Sequence, residues 1–71
     1  MAYIVGRCLL RELLNNKKMT QRELAIILGI TEQQINKYVN NRQLMSIQVA
    51  KNVSNILNCS IEELYEWHEV G

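Results

Sequence analysis

The segment from Thr20 to Asn40 restricts the fold of this chain more than any other part, because it contains two helix starts with a glycine between them. Thr20 and Glu23 have the spacing of a capping box, in which the side chain of each residue accepts a hydrogen bond from the backbone N–H of the other. Gly29 can adopt the left-handed conformation that ends a helix, and Thr31 can cap a further helix. The sequence therefore predicts two short helices separated by about three residues.

The flanking segments also favour helices. An apolar stripe at i, i+4 spacing predicts a first helix over about residues 3–16. Residues 46–57 predict a fourth helix with Ile47 among its inward side chains, and a second capping box that starts at Ser60 predicts a short fifth helix through about Trp67. The 71 residues include three glycines and no proline, so little interrupts the backbone. We therefore expect an all-α fold, a compact five-helix bundle that forms one domain over residues 1–71.

Charge is distributed unevenly along the chain, although the net charge is only +1. Residues 1–45 contain seven Lys or Arg and three Glu, which gives +4, whereas residues 46–71 contain one Lys and four Glu, which gives −3. A basic segment favours a polyanion such as nucleic acid as its partner. Solubility alone is the alternative explanation for so small an excess.

Composition argues against several other classes of protein. No apolar run is long enough to cross a membrane or to form a signal-peptide core, so we expect a cytoplasmic protein. Cys8 and Cys59 are scattered thiols, and His68 is the only histidine. These residues have neither the spacing of a metal site nor a nucleophile-base arrangement. We therefore expect no catalytic residues, no metal, no cofactor and no enzyme activity.

The helix that follows Gly29 has one apolar and one polar face. Ile30 and Ile35 are apolar where this helix would pack on the preceding one, which is typical of a helix-turn-helix. Its polar face could enter a DNA major groove, because Gln and Asn pair with adenine and Lys pairs with guanine. An ordinary helical hairpin with solvated polar side chains is the alternative. The polar face consists of Gln33, Gln34, Asn36 and Lys37.

These segments resemble the Cro/CI-type (xenobiotic-response-element) helix-turn-helix domains of phage repressors and bacterial regulators. The resemblance covers about Leu10 to Leu64 and is carried by LREL, MTQRELAIILGIT, QQINKYVNN and VSNILNCSIEEL. It implies a five-helix, lambda-repressor-like all-α fold with a recognition unit over about residues 20–41 and a C-terminal helix and tail over about 60–71. It also implies a sequence-specific regulator of transcription that binds double-stranded DNA as a homodimer, a Cro-like or minimal repressor of phage or mobile-element type.

The resemblance assigns roles to individual positions. It implies that base edges are contacted from the third helix by Glu32, Gln33, Gln34, Asn36 and Lys37. It implies that backbone phosphates are contacted by Gln21, Arg22, Asn40, Arg42 and Gln43. Glu32 has an alternative role, because an acidic side chain in the first turn also stabilises the helix dipole.

The chain departs from the family pattern at several positions. Apolar Leu14 and Val39 replace a partly buried Arg–Glu pair that many members have, so we expect these two side chains to touch. Lys18, Asn41 and Asn58 occupy positions where glycine is common, and asparagine suits a left-handed conformation better than lysine does.

Two apolar features suggest protein contacts. Ile26 and Ile27 replace polar residues and could bind a protein partner, or they could fold under the N-terminal segment at residues 3–5. The C-terminal residues Tyr65, Trp67 and Val70 could form dimer contacts, because aromatic side chains are enriched at interfaces, or they could complete the core. The alternative function is therefore a protein-protein interaction module, such as an antirepressor or a regulator's partner, on a helix-turn-helix scaffold.

Overall fold

A computed structural model describes residues 1–71 and contains four α-helices, a 3₁₀ helix and a two-stranded antiparallel sheet. No helix is long and apolar enough to span a membrane. The elements in chain order are β1 (Ala2–Cys8), α1 (Leu10–Asn16), α2 (Gln21–Leu28), α3 (Glu32–Val39), α4 (Ile47–Leu57), the 3₁₀ helix (Ile61–Leu64) and β2 (Tyr65–Val70).

The all-α, five-helix prediction is wrong, because both ends of the chain are strands. The first helix begins at Leu10 instead of near Tyr3, and the last helical turn ends at Leu64 instead of near Trp67. The two ends are rich in aromatic and β-branched residues, such as the Tyr3–Val5 run, and these residues favour extended backbone. Each strand pairs one edge of its backbone with the other strand, and local periodicity does not reveal such a distant pairing.

The strands β1 and β2 form a ribbon that joins the two ends of the chain. Ala2 pairs with Val70 and Val5 pairs with Trp67, and the register then shifts before Cys8 pairs with Tyr65. Gly6 lies within this irregular stretch, where a Cβ atom would collide with the imidazole of His68 on the opposite strand. A side chain at position 6 would therefore displace the exposed His68 imidazole.

The helix boundaries follow the predicted caps. The Thr20 hydroxyl accepts from the Glu23 N–H and the Glu23 carboxylate accepts from the Thr20 N–H, each at 3.0 Å. Thr31 caps α3 by accepting from the Gln34 N–H at 3.1 Å, and Gly29 ends α2 with a φ of 74°. The three positions where glycine is common in the family also have positive φ: Lys18 at 55°, Asn41 at 60° and Asn58 at 56°.

The core consists of apolar side chains from all the helices and from the base of the ribbon. Leu14 and Val39 both belong to it, and α1 packs on α3. Ile47 does not belong to it, contrary to the prediction, because its side chain is 80% exposed. The residues whose side chains are almost fully buried are Leu10, Leu24, Ile35, Val53, Leu57 and Leu64.

Candidate nucleic-acid interface

The core orients α3 so that its polar side faces outward. Ile35, Tyr38 and Val39 are buried, and α3 packs closely on α2. Because these apolar residues lie on one side of the helix, the residues between them project to the other side. The side chains of Glu32, Gln33, Asn36 and Lys37 are exposed, and that of Gln34 is half-buried.

The exposed side of α3 forms one wall of an open depression of about 530 Å³ that has no apolar residue in its lining. The lining residues are Gln21, Thr31, Glu32, Gln33, Gln34, Asn36, Lys37 and Arg42. Seven of the ten residues that the sequence assigned to DNA contacts therefore lie around one surface. Arg22 is exposed but does not line the depression, and Asn40 and Gln43 adjoin it through hydrogen bonds.

A chain of side-chain hydrogen bonds connects α1, α3 and α2 at this surface. The Arg11 guanidinium donates to Asn40 Oδ1 at 3.3 Å, and Asn40 Nδ2 donates to Asn36 Oδ1 at 2.9 Å. Asn36 Nδ2 in turn lies 3.5 Å from Gln21 Oε1. Because a guanidinium can only donate, it fixes the donor-to-acceptor direction of each hydrogen bond in this series. The NH₂ group of Gln21 is therefore left outermost as a free donor.

Sequence reasoning did not find Arg11. It lies in the first helix, far along the chain from the segments that carry the polar face, and it is one of seven basic residues in residues 1–45. The available signal was its place on the polar side of α1 next to the buried Leu10.

A second connection links α3 to the loop that follows it. Gln34 Nε2 donates to Gln43 Oε1 at 3.0 Å, so the margin of the helix and the loop share one polar surface. Lys37 and Arg42 supply two positive charges to the depression and Glu32 supplies one negative charge. The surface can therefore offer amide donors and acceptors to base edges and cations to phosphates.

The remaining reactive groups show no arrangement for chemistry. No three His, Cys, Asp or Glu side chains lie together as metal ligands would. Both cysteines are free thiols, and burial raises the pKa of Cys8 and of Cys59, which lowers the thiolate fraction at neutral pH. Arg7 is engaged by Glu12 at 3.0 Å and by Glu66 at 3.6 Å.

The candidate protein contacts differ in their exposure. Ile26 and Ile27 are 71% and 57% exposed, and Trp67 and Val70 are also exposed. Tyr65 is buried within the core, and its hydroxyl accepts a hydrogen bond from the Met45 N–H at 3.1 Å. Tyr65 therefore offers little surface to a second molecule.

An apolar groove of about 350 Å³ lies beside Trp67. We term its exposed residues, Val5, Leu44, Ile47 and Trp67, the apolar face. Sequence reasoning missed Leu44 and assigned Ile47 to the core. The available signal for Leu44 was that it precedes the Ser46 cap and so lies outside the helix. Ile47 fits the inward spacing three residues before Ala50, and the sequence held no signal of its exposure. The other groove residues are Met45, Ala50, Ile61 and Tyr65.

Comparisons with known proteins identify the family of the chain. Residues 9–69 match the family profile described as the Cro/C1-type HTH DNA-binding domain. The chain is 42% identical over 66 residues to the SPbeta prophage-derived uncharacterized HTH-type transcriptional regulator YopS of Bacillus subtilis strain 168, covering 89% of this chain and 86% of YopS. It is 35% identical over 60 residues to YotL, which is named as a regulator of the same type from the same prophage, covering 83% of this chain and 75% of YotL.

A solved structure supports the fold. The crystal structure of a candidate DNA-binding protein from Bacteroides fragilis superposes with a TM-score of 0.78 at 23% identity, covering 92% of this chain and 100% of that one. The family profile and the prophage relatives together establish what kind of protein this is. The chain belongs to the Cro/C1-type helix-turn-helix DNA-binding domains, and it is a DNA-binding regulator and not an enzyme.

Proposed function

We propose that the protein is a sequence-specific transcriptional regulator, a Cro-like or minimal repressor of phage type, that places α3 in the major groove of double-stranded DNA. The observation that carries this proposal is the entirely polar depression along α3, opposite a buried apolar side. The names of the two prophage relatives, which describe transcriptional regulators, also support it. One domain over residues 1–71 would contain the whole recognition unit.

The proposed base contacts come from the centre of the exposed face of α3. Gln33 can form paired hydrogen bonds with adenine, and Lys37 can donate to the acceptors of guanine. Gln34 and Asn36 lie at the margin, where each is already hydrogen-bonded to another side chain. Glu32 can accept from the amino group of cytosine.

The proposed phosphate contacts surround this face. The Gln21 amide is held by Asn36 with its NH₂ group outermost, so it can donate to a phosphate oxygen. Arg42 lines the depression as a cation, and Asn40 and Gln43 adjoin it. Arg22 is exposed in the first turn of α2 and would contact a phosphate at the edge of the site.

Selection of bound sequences from a random duplex pool, followed by affinity measurements, tests this proposal. Gln33→Ala and Lys37→Ala should each cost about 1–3 kcal/mol at the selected site and relax the preference at one position. Arg42→Ala should weaken all sequences alike and lower the slope of log K against log salt by about 0.9. Gln48→Ala and Lys51→Ala are matched controls on the exposed side of α4 and should bind like the parent. Parental binding by all the α3 variants would show that another surface reads DNA.

The proposed assembly is a homodimer formed through the apolar face. Residues 46–71 carry a net charge of −3, which disfavours DNA as the molecule that covers this face. Leu44 lies two residues after Arg42, so a two-fold contact here would lie next to the loop that is proposed to contact phosphates in each copy. Helix-turn-helix dimers of this kind read half-sites about 34–36 Å apart. Trp67 would take part, and Val70 and the ring edge of Tyr65 would lie at the margin.

Sedimentation of the free protein and of its DNA complex tests the dimer. Ile47→Ser should shift the equilibrium towards monomer, whereas Ile26→Ser, which removes a similarly exposed side chain from α2, should not. A parent protein that remains monomeric in solution and on DNA would overturn the proposed assembly.

The exposure of Ile26 and Ile27 favours a second candidate function, a protein-protein interaction module on the same scaffold. A partner covering these residues would remove two large apolar side chains from water. A mobility shift with random duplex at low salt separates the two functions. No retardation at micromolar protein would favour the interaction module over the DNA-reading regulator.

A further inference from the structure

The loop that joins α3 to α4 is held by both strands of the ribbon. We term residues 40–45 the phosphate turn, because it carries Arg42 and Gln43. At its start, Asn41 Oδ1 accepts from the backbone N–H of Cys8, the last residue of β1, at 2.8 Å. At its end, the N–H of Met45 donates to the hydroxyl of Tyr65, the first residue of β2, at 3.1 Å.

The start of the phosphate turn is also held by α3, because the N–H groups of Asn40 and Asn41 donate to the carbonyls of Asn36 and Tyr38 at 3.0 and 3.1 Å. Asn41 has a φ of 60°, and the Arg42 N–H donates to the Lys37 carbonyl at 2.9 Å. The amides of Gln43 and Leu44 donate to no backbone carbonyl. The Tyr65 hydroxyl therefore fixes the far end of the turn just before the Ser46 cap of α4, and it does so from within the core, where its ring cannot move freely.

We infer that Tyr65 and Asn41 are positioning residues for DNA binding, through which the β1–β2 ribbon holds Arg42 and Gln43 in the conformation that meets phosphates. This inference rests on the proposed function, in which the phosphate turn contacts DNA. If the turn is in the DNA-binding conformation for only part of the time, the apparent DNA affinity is the intrinsic affinity multiplied by that fraction. The Tyr65 hydroxyl thereby acts on DNA affinity without touching DNA, through its bond to the Met45 N–H.

Tyr65→Phe in the full chain tests this role, because it deletes the hydroxyl and keeps the ring in the core. DNA affinity should fall by up to about tenfold, because losing one net hydrogen bond lowers the population of the competent state by at most that factor. The salt slope should stay at the parent value, since the same phosphates are contacted once the turn is ordered. Hydrogen exchange at the Met45 amide should become faster.

Two control variants separate this effect from a general loss of stability. Tyr38→Phe makes the same change in another buried tyrosine of the core. Ser54→Ala removes a buried hydroxyl that donates to the Lys51 carbonyl at 2.8 Å, in α4 and outside the phosphate turn. Both variants should bind DNA with the parent affinity at temperatures where the protein is folded.

A double-mutant comparison makes the mechanism specific. If the Tyr65 hydroxyl acts by ordering Arg42 and Gln43, its removal should matter little once both of these side chains are replaced by alanine. In that background, the ratio of affinities between proteins with and without the Tyr65→Phe change should fall below about twofold. An undiminished ratio would overturn the inference.

The outcomes distinguish this inference from the proposed function. Parental affinity in Tyr65→Phe, with weakened binding in Arg42→Ala, would overturn the inference and leave the proposed function standing. Parental affinity in both Arg42→Ala and Gln43→Ala would remove the phosphate turn from the DNA site and overturn the inference with it. If Tyr65→Phe fails to fold, Asn41→Gly tests the other end of the turn, because glycine accepts the positive φ while losing the acceptor. It should also lose affinity severalfold, and parental affinity would overturn the inference.

Discussion

Replacement of Gly29 by alanine should destabilise the protein by about 1 kcal/mol, solely through its backbone conformation. Gly29 ends α2 with a φ of 74°, and a Cβ atom built there would have no heavy atom within 4 Å. The methyl group therefore causes no steric clash, and the only cost of the substitution is that of placing an L-residue in the left-handed conformation. That conformation costs an L-residue about 1–2 kcal/mol, and the lower entropy of the unfolded alanine chain returns about 0.4–1 kcal/mol.

Thermal unfolding of the 71-residue chain can measure this difference. About 1 kcal/mol should lower the Tm by about 4–8 °C in a domain of this size. A chemically synthesised chain with D-alanine at position 29 is the matched control, because a D-residue prefers positive φ. It should be at least as stable as the parent. Equal destabilisation by the L- and D-residues would refute the reasoning, since it would attribute the loss to the methyl group's contacts instead of to φ.

Three further outcomes follow from the same structure. Lys18→Gly should leave the free energy of unfolding unchanged or raise it by up to about 1 kcal/mol in chemical denaturation, because Lys18 has a φ of 55°, which glycine adopts more readily than lysine. Lys17→Gly is the control and should lower the free energy of unfolding. Asn36→Ala should lower DNA affinity, and in its background Arg11→Met should cost less affinity than it does in the parent, because Asn36 links Arg11 and Asn40 to Gln21. Fully additive losses in a binding titration would contradict this. The hydrogen bond from the Ser60 N–H lowers the pKa of Glu63 below its ordinary value of 4.5. The Glu63 carboxylate therefore stabilises the fold above its unfolded-state pKa, and this stabilisation is lost as pH falls through its folded-state pKa. The Tm of Glu63→Gln should therefore fall less than that of the parent below about pH 4.5.

The helix-turn-helix could be predicted because each of its signals is local. Thr20 and Glu23 lie three residues apart, so their reciprocal bonds depend on one turn of backbone. Thr31 caps α3 in the same way, and Gly29 supplies the left-handed residue between the helices. The two N-terminal caps and the glycine between them all indicate the same helix ends, and together they define the boundaries of α2 and α3.

The ribbon could not be predicted in this way. Val5 and Trp67 pair across 62 positions of sequence, and neither strand shows which residue lies opposite it. Val5 also fits the apolar spacing of a helix that continues into Leu9 and Leu10, so periodicity alone favoured one long helix. The segment could form a helix or a strand on local grounds, and pairing with β2 stabilises the strand, as is common for short apolar segments.

The exposed face of α3 is the complement of its buried stripe, and for that reason it was accessible to sequence reasoning. Once Ile35, Tyr38 and Val39 are assigned to the core, the helical period leaves Gln33 and Lys37 outside. The hydrogen bonds among the surrounding amides have no such period, because they depend on side chains from three helices and a loop. The same holds for the bonds that Asn41 and Tyr65 make at the two ends of the phosphate turn. A sequence can thus indicate which residues form the exposed face of α3, whereas the bonds at both ends of the following turn come from strands that only the folded chain brings alongside.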